Sequence, residues 1–286
     1  MRLGIIGCGN MGGGMASQLI KNGYEVTCFD PSPEISGKMA TLGATTTTSA
    51  GALAKACDVI ILSLPKAAVV ETVMVEILPD IQTDTVILDT STSVPATSQA
   101  MSTKGENHGF SFVDGPVSGG PAAANAGTMT MLLGGDPDAI ETLRPVLDLL
   151  TAKTVKVGGS GAGHAAKIAN NMLCAANLVL VGEAVRLGRA AGVAPADLLE
   201  GINAGSGRSG VSEVNFPKWI LNNAFDSGFT MGLMRKDVGL ALDLAKSSDV
   251  DLSGFAAIAD IWLNASTDIA DSDDFNAIVK TSPKEV

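Results

Sequence analysis

The chain has 286 residues, enough for about two domains of ordinary size, and 46% of them are hydrophobic, so a large core can be buried. Only 4% are aromatic, which leaves that core to Ala, Leu, Ile, Val and Met. A formal net charge of −11 with no basic stripe argues against a nucleic-acid binder, and an anionic substrate would need a local group of cations and amides to hold it. The four cysteines, Cys8, Cys28, Cys57 and Cys174, are scattered and form no C-x-x-C pair. With only two histidines beside them there is no metal-ligand spacing, so they are expected as buried thiols of a cytoplasmic protein. The apolar start breaks at Gly7, too early for a signal peptide, and no uninterrupted apolar run approaches the ~18 residues of a membrane span. A soluble protein without membrane or nucleic-acid partners is expected.

In chain order, Leu3–Ile6, Val26–Phe29, Val59–Leu64 and Val86–Leu88 are compact, β-branched runs, as strands buried on both faces should be. Between and after them, Met11–Asn22, Pro33–Leu42, Ala50–Ala56, Val69–Ile77 and Pro95–Lys104 have helical spacing. That alternation predicts an α/β fold with a doubly wound, mainly parallel sheet of Rossmann type. Phe112-Val113, Met129–Leu133 and Thr154–Val157 read as added strands, with a helix over Asp136–Leu150. From His164 onward no clear strand is found. Ala165–Ala191, Pro195–Ala204, Pro217–Leu221, Leu233–Lys246, Gly254–Asn264 and Asp274–Lys280 read as helices. A dinucleotide-binding domain is therefore expected over residues 1–162, and an all-α domain for substrate and oligomerisation over 163–286.

The turn Gly7-Cys8-Gly9-Asn10-Met11-Gly12 follows the first strand and opens a helix. In that context G-x-G-x-x-G predicts a dinucleotide site: Gly7 for the turn, Gly9 for close backbone approach to a pyrophosphate, Gly12 for packing of helix on strand. Asn10 and Met11 would then lie against the cofactor at the helix N-terminus, where amides and a partial positive charge suit phosphate. Gly13 and Gly14 weaken the same helical turn and have no explanation at this level. Asp30 ends the second strand, where an acid would bond both hydroxyls of an adenosine ribose. A 2′-phosphate would meet that carboxylate, and Pro31-Ser32 follow rather than an arginine, so NAD is favoured over NADP. Leu64-Pro65 and Ser91-Thr92 fall at the carboxyl ends of the next two strands. Each could be an ordinary strand-to-helix cap; together they would wall a nicotinamide ribose.

Two further segments suit a small carboxylate. Ser118-Gly119-Gly120 can present one hydroxyl and successive backbone amides as a nest of donors, although a plain glycine turn reads the same way. In Gly161-Ala-Gly-His-Ala-Ala-Lys167-Ile-Ala-Asn-Asn171, a glycine bend leads into a helix with Lys167 and Asn171 four apart, hence on one face. Alone, that pair reads first as a solvated surface lysine and its neighbour. Arg208 stays open between a reader of a second anionic group and a surface arginine.

With these blocks in place, the chain resembles the 3-hydroxyisobutyrate dehydrogenase family of β-hydroxyacid dehydrogenases. Four segments carry the resemblance over most of the chain: Gly7–Gly12 into Met15-Ala16, Asp114–Gly120 with Gly127-Thr128, Gly161–Asn171, and Lys236-Asp237 with Leu240-Ala241. Departures are minor, with Cys8 in the first variable position of the fingerprint and a short tail after Asp274. The resemblance implies that Lys167 is the catalytic acid–base and that Ser118, Gly119, Gly120 and Asn171 hold the substrate. It also implies that Ser91 and Thr92 line the nicotinamide side, that Lys236 closes over the cofactor, and that the protein is a homodimer or homotetramer. The activity implied is hydride transfer between NAD and a small β-hydroxyacid or its semialdehyde, such as 3-hydroxyisobutyrate or D-glycerate. Two alternatives are a non-catalytic dinucleotide-binding module and a related reductase of a sulfonated or phosphorylated small acid.

Overall fold

A computed structural model describes residues 1–281, apart from the side chain of Ser266. Residues 282–286, the end of the expected helical domain, lie outside the described residues. The chain divides into two compact units, Met1–Lys167 and a second beginning at Ile168. The boundary expected from sequence, 162/163, falls at the first residues of the helix that spans the division.

The first unit is built on one sheet whose nine described strands are β1 (Leu3–Ile6), β2 (Val26–Phe29), β3 (Thr45–Thr46), β4 (Val59–Leu62), β5 (Val86–Asp89), β6 (Ser111–Asp114), β7 (Val117–Ser118), β8 (Met129–Gly134) and β9 (Thr151–Gly158). Their order is β3-β2-β1-β4-β5-β6-β8-β7, with β9 also beside β8. Strands β1 to β6 pair with one another in parallel, whereas β8 runs antiparallel to β6 and β7. The chain moves outward from β1 to β3 and then returns to the other side of β1 with β4. That reversal leaves a crevice at the carboxyl ends of β1 and β4, where open sheets bind ligands.

Every residue of β1, β4 and β5 is buried. Alternate side chains serve opposite faces: Ile5, Ile61 and Leu88 pack in one layer, and Ile6, Ile60, Leu62 and Ile87 in the other. The first layer is completed by Met15 and Leu19 of α1 (Asn10–Lys21), and the second by Leu53, Val70 and Met74 of α3 (Ala50–Ala56) and α4 (Ala67–Ile77). Helix α2 (Pro33–Thr41) follows β2, and α5 (Pro95–His108) follows β5. The sequence reading did not include β3, β7 or the short α6 (Gly120–Ala126). The single helix expected over Asp136–Leu150 is two, α7 (Pro137–Thr142) and α8 (Arg144–Leu150). Pro145 lacks the amide that would continue the ladder, so a new helix starts there instead.

The second unit is helical. It contains α9 (Ala162–Ala190, whose first turns belong to the first unit), α10 (Pro195–Ala204), a π-helical segment Val211–Ile220, α11 (Met231–Ser247) and α12 (Ser253–Asn264), and ends in a 3-10 helix, Phe275–Lys280. The π-helix replaces the short Pro217–Leu221 helix expected from sequence. Trp262 is fully buried at the centre and its indole N–H donates to the Ala175 carbonyl at 3.1 Å. By length and composition α9 could cross a membrane. A core helix passes the same test, and Ala175, Leu178 and Val185 of α9 are buried in this core. Cys8, Cys28 and Cys57 are buried as expected; Cys174, on α9, is only half-buried.

Candidate functional site

At the carboxyl end of β1 the chain turns at Gly7, and α1 begins with Gly9 at its cap and no side chain bonded to the helix end. A Cβ at Gly12 would lie 1.9 Å from the Gly7 carbonyl oxygen, so helix and turn touch backbone to backbone. At Gly9, by contrast, an added Cβ would meet nothing within 4 Å. The turn thus offers uncapped first-turn amides at Asn10, Met11 and Gly12 and open space in front of Gly9, a cradle that fits a pyrophosphate. The unexplained Gly14 has a role: a Cβ there would lie 3.0 Å from Ala124 Cβ, where α1 packs on α6. At Gly13 the obstacle would be the Cys8 carbonyl oxygen at 2.9 Å.

Asp30 reaches back to this turn. Its carboxylate accepts from the Cys8 amide and from the Ser32 amide, each at 2.9 Å. A carboxylate has about four acceptor positions, so two stay available for ribose hydroxyls. Ser91, buried after β5, accepts from the Leu64 amide at 2.9 Å and so ties the ends of β4 and β5 together. Thr92 is half-buried beside it, and Pro65 is exposed. All the residues expected at the cofactor from the first domain therefore lie at the carboxyl ends of β1, β2, β4 and β5.

After β6 the chain runs through β7 into Gly119 and Gly120. Gly119 has φ +123° and Gly120 φ +67°, a path that L side chains rarely take, leading into α6. Ser118 lies on β7, and Lys167, 7% exposed, donates from Nζ to its Oγ at 2.9 Å. Lysine at that level of burial is uncommon unless it is paired.

Asp114 places this lysine. The carboxylate is fully buried at the end of β6 and accepts from the Gly161 amide at 2.7 Å and the His164 amide at 3.0 Å, capping the first turn of α9. Gly163 permits the approach: a Cβ there would lie 2.8 Å from the same carboxylate and 2.4 Å from the Leu132 carbonyl oxygen. Lys167 thus projects from a helix start anchored to the sheet. In sequence Asp114 opens the Asp114–Gly120 motif with no visible task, because its partners lie 47 and 50 residues further on.

In the second unit Asn171 is buried, and its side-chain amide donates to Asp237 at 2.5 Å. Asp237 is itself buried, and its other oxygen lies 3.4 Å from the Lys236 ammonium. One carboxylate therefore orients the amide of Asn171 and holds Lys236 close, a role no local spacing announced. Arg208 is exposed and lies 3.8 Å from Glu213, which agrees with the surface alternative.

Comparison with known proteins gives a consistent result. Residues 2–159 match the family model described as the NAD binding domain of 6-phosphogluconate dehydrogenase, and residues 161–282 that described as NAD-binding of NADP-dependent 3-hydroxyisobutyrate dehydrogenase. The 2-(hydroxymethyl)glutarate dehydrogenase of Eubacterium barkeri is 36% identical over 98% of this chain and 94% of its own length. The NAD-dependent L-serine dehydrogenase of Pseudomonas aeruginosa is 34% identical over 86% of each chain. The structure of Mycobacterium tuberculosis 3-hydroxyisobutyrate dehydrogenase with L-serine superposes with a TM-score of 0.91 at 32% identity, covering 98% of this chain and 99% of that one.

Proposed function

Because the chain belongs to the 3-hydroxyisobutyrate dehydrogenase family, oxidoreductases with NAD(P)-binding domains, we propose that it transfers a hydride between NAD(H) and a small β-hydroxyacid or its semialdehyde, with Lys167 as general acid–base. The observation that carries this reading is the buried Lys167 ammonium bonded to Ser118 at the head of a two-glycine turn. Ser118, Gly119 and Gly120 hold the substrate carboxylate, and the ammonium beside them sets the reacting oxygen. Asn171, its amide oriented by Asp237, takes a second polar group of the substrate.

The bound nicotinamide supplies the hydride chemistry; the protein orients the substrate and handles one proton. In the reducing direction Lys167 polarises the carbonyl and gives a proton from Nζ to the oxygen. In oxidation the neutral amine takes the hydroxyl proton. The carboxylate of Asp30, without an arginine after it, supports NAD as the preferred cofactor, and Lys236 is assigned to the cofactor side on the family resemblance. A homodimer or homotetramer and a cytoplasmic location belong to the same reading; light scattering on the purified chain decides the first.

The relatives differ in substrate, so the acid is best found by direct assay. Purified protein is offered NAD or NADP with 3-hydroxyisobutyrate, D-glycerate, L-serine and 2-(hydroxymethyl)glutarate while reduced-cofactor absorbance is followed. Turnover of at least one acid with NAD preferred supports the reading. Intact NAD binding with no turnover across the panel favours a non-catalytic binding module and rejects it.

A further inference from the structure

Proton transfer by Lys167 leaves His164 without a task, yet its ring has no exposed surface and sits among polar groups on the first turn of α9. Nε2 lies 2.9 Å from the Ser91 carbonyl oxygen, and Nδ1 lies 2.8 Å from the Ser98 hydroxyl. A carbonyl can only accept, so Nε2 carries the hydrogen. In the neutral ring Nδ1 then accepts from Ser98. Two fully buried carboxylates flank the ring, Asp89 Oδ2 at 3.9 Å from Nε2 and Asp114 Oδ2 at 3.9 Å from Nδ1. Among the described residues Asp89 Oδ2 has no hydrogen-bond partner. Burying such a set costs stability, and an apolar side chain would fill the space without that cost.

What the residue joins is specific. Ser91 follows β5, and its hydroxyl accepts the Leu64 amide that follows β4. Ser98 lies on α5, and Asp114 ends β6 and accepts the His164 amide. Through its ring and its amide, one residue ties the ends of three consecutive parallel strands to the helical turn from which Lys167 projects three residues later. We infer that His164 is a positioning residue, which locks the Leu64–Ser91 wall to the start of α9 so that the hydride-accepting side and the Lys167 ammonium keep one fixed separation. The catalytic consequence rests on the dehydrogenase reading; the mechanical link does not. A misplacement of about 1 Å between reacting groups can cost on the order of 10²-fold in rate.

His164→Leu and His164→Gln test this. A glutamine side chain can still donate to the Ser91 carbonyl and accept from Ser98, whereas leucine does neither. The leucine variant should lose about 10- to 100-fold in kcat, with KM and NAD affinity moving far less, and amide hydrogen exchange should speed up over residues 161–167. Glutamine should recover most of both. Wild-type kcat and exchange in the leucine variant would overturn the inference, as would a glutamine variant no better than leucine. If leucine prevents folding, nitrogen-15 spectra of the wild-type ring decide, because a proton on Nδ1 in place of Nε2 removes the Ser91 link. Should the wild-type protein turn over no hydroxyacid, the dehydrogenase reading fails, while the exchange and nitrogen-15 results still decide the His164 link.

Discussion

Gly9→Ala and Gly12→Ala separate ligand space from packing space in the fingerprint turn. At Gly12 the new Cβ would stand 1.9 Å from the Gly7 carbonyl oxygen and 3.2 Å from Ser63 Cβ. Real contacts of this kind stay above 3.0 Å, so turn and helix must part by at least 1.1 Å (3.0 − 1.9). The blocking atom is backbone, which no rotamer change can relieve. Overpacking of this sort costs about 1–3 kcal/mol, or about 2–12 °C in Tm for a domain of this size. A shift that large also breaks amide–phosphate bonds worth about 1.5–3 kcal/mol each, so losing one weakens NAD binding by about 10- to 100-fold. At Gly9 nothing lies within 4 Å and φ is −63°, so alanine fits without strain and Tm should hold. Its methyl group nevertheless occupies the space assigned to the pyrophosphate, and NAD affinity should drop by about 10-fold or more, the loss of one such bond. Thermal denaturation with calorimetric NAD titration reads both effects. Wild-type NAD affinity in Gly9→Ala would refute the placement of the cofactor on this turn.

Three other substitutions probe separate parts of the account. Asp30→Asn removes the charge that opposes a 2′-phosphate, so affinity for NADP should rise relative to NAD in parallel titrations; a wild-type protein that already prefers NADP contradicts the assignment. Asp237→Ala removes the acceptor of the buried Asn171 amide, a bond to a charged group worth about 1.5–3 kcal/mol, so kcat/KM should fall by about 10- to 100-fold; wild-type kcat/KM would remove Asp237 as the group that orients Asn171. Burial pushes the Asp89 carboxyl above its usual range, although the nearby His164 pulls the other way. The folded protein therefore binds this proton more tightly than the unfolded chain. The stability from that shift is complete below the unfolded pKa and is lost as pH rises through the folded one. Asn at position 89 keeps an acceptor for the Ser91 amide and never ionises, so Tm of Asp89→Asn should gain on wild type as pH is raised from the acid side. A constant difference in Tm across that range removes Asp89 as the cause.

Much of this was legible in the chain itself. Val59–Leu62 and Val86–Asp89 are short β-branched runs because both faces of a parallel strand are covered, and G-x-G-x-x-G acquires meaning from the strand before it and the helix after it. Lys167 and Asn171 share a helix face because four residues make about one turn. What escaped was non-local or atypical. Thr45–Thr46 and Val117–Ser118 are two-residue strands defined by pairing with a neighbour rather than by any pattern of their own. The π-helix at Val211–Ile220 carries Pro217 inside it, which in sequence looked like the start of a short α-helix. Asp114, His164 and Asp237 all lie within the motifs, but their hydrogen-bond partners lie 47 to 73 residues away, and only folding brings them together.

The central claim is that Lys167 moves the proton. It is tested most directly by the rate of hydride transfer in Lys167→Ala at saturating NAD and hydroxyacid, alongside NAD titration of the same variant. General acid–base catalysis contributes about 10²- to 10⁴-fold, so the account predicts a loss of that order with NAD affinity nearly intact. Hydride transfer in the alanine variant at close to the wild-type rate would contradict it.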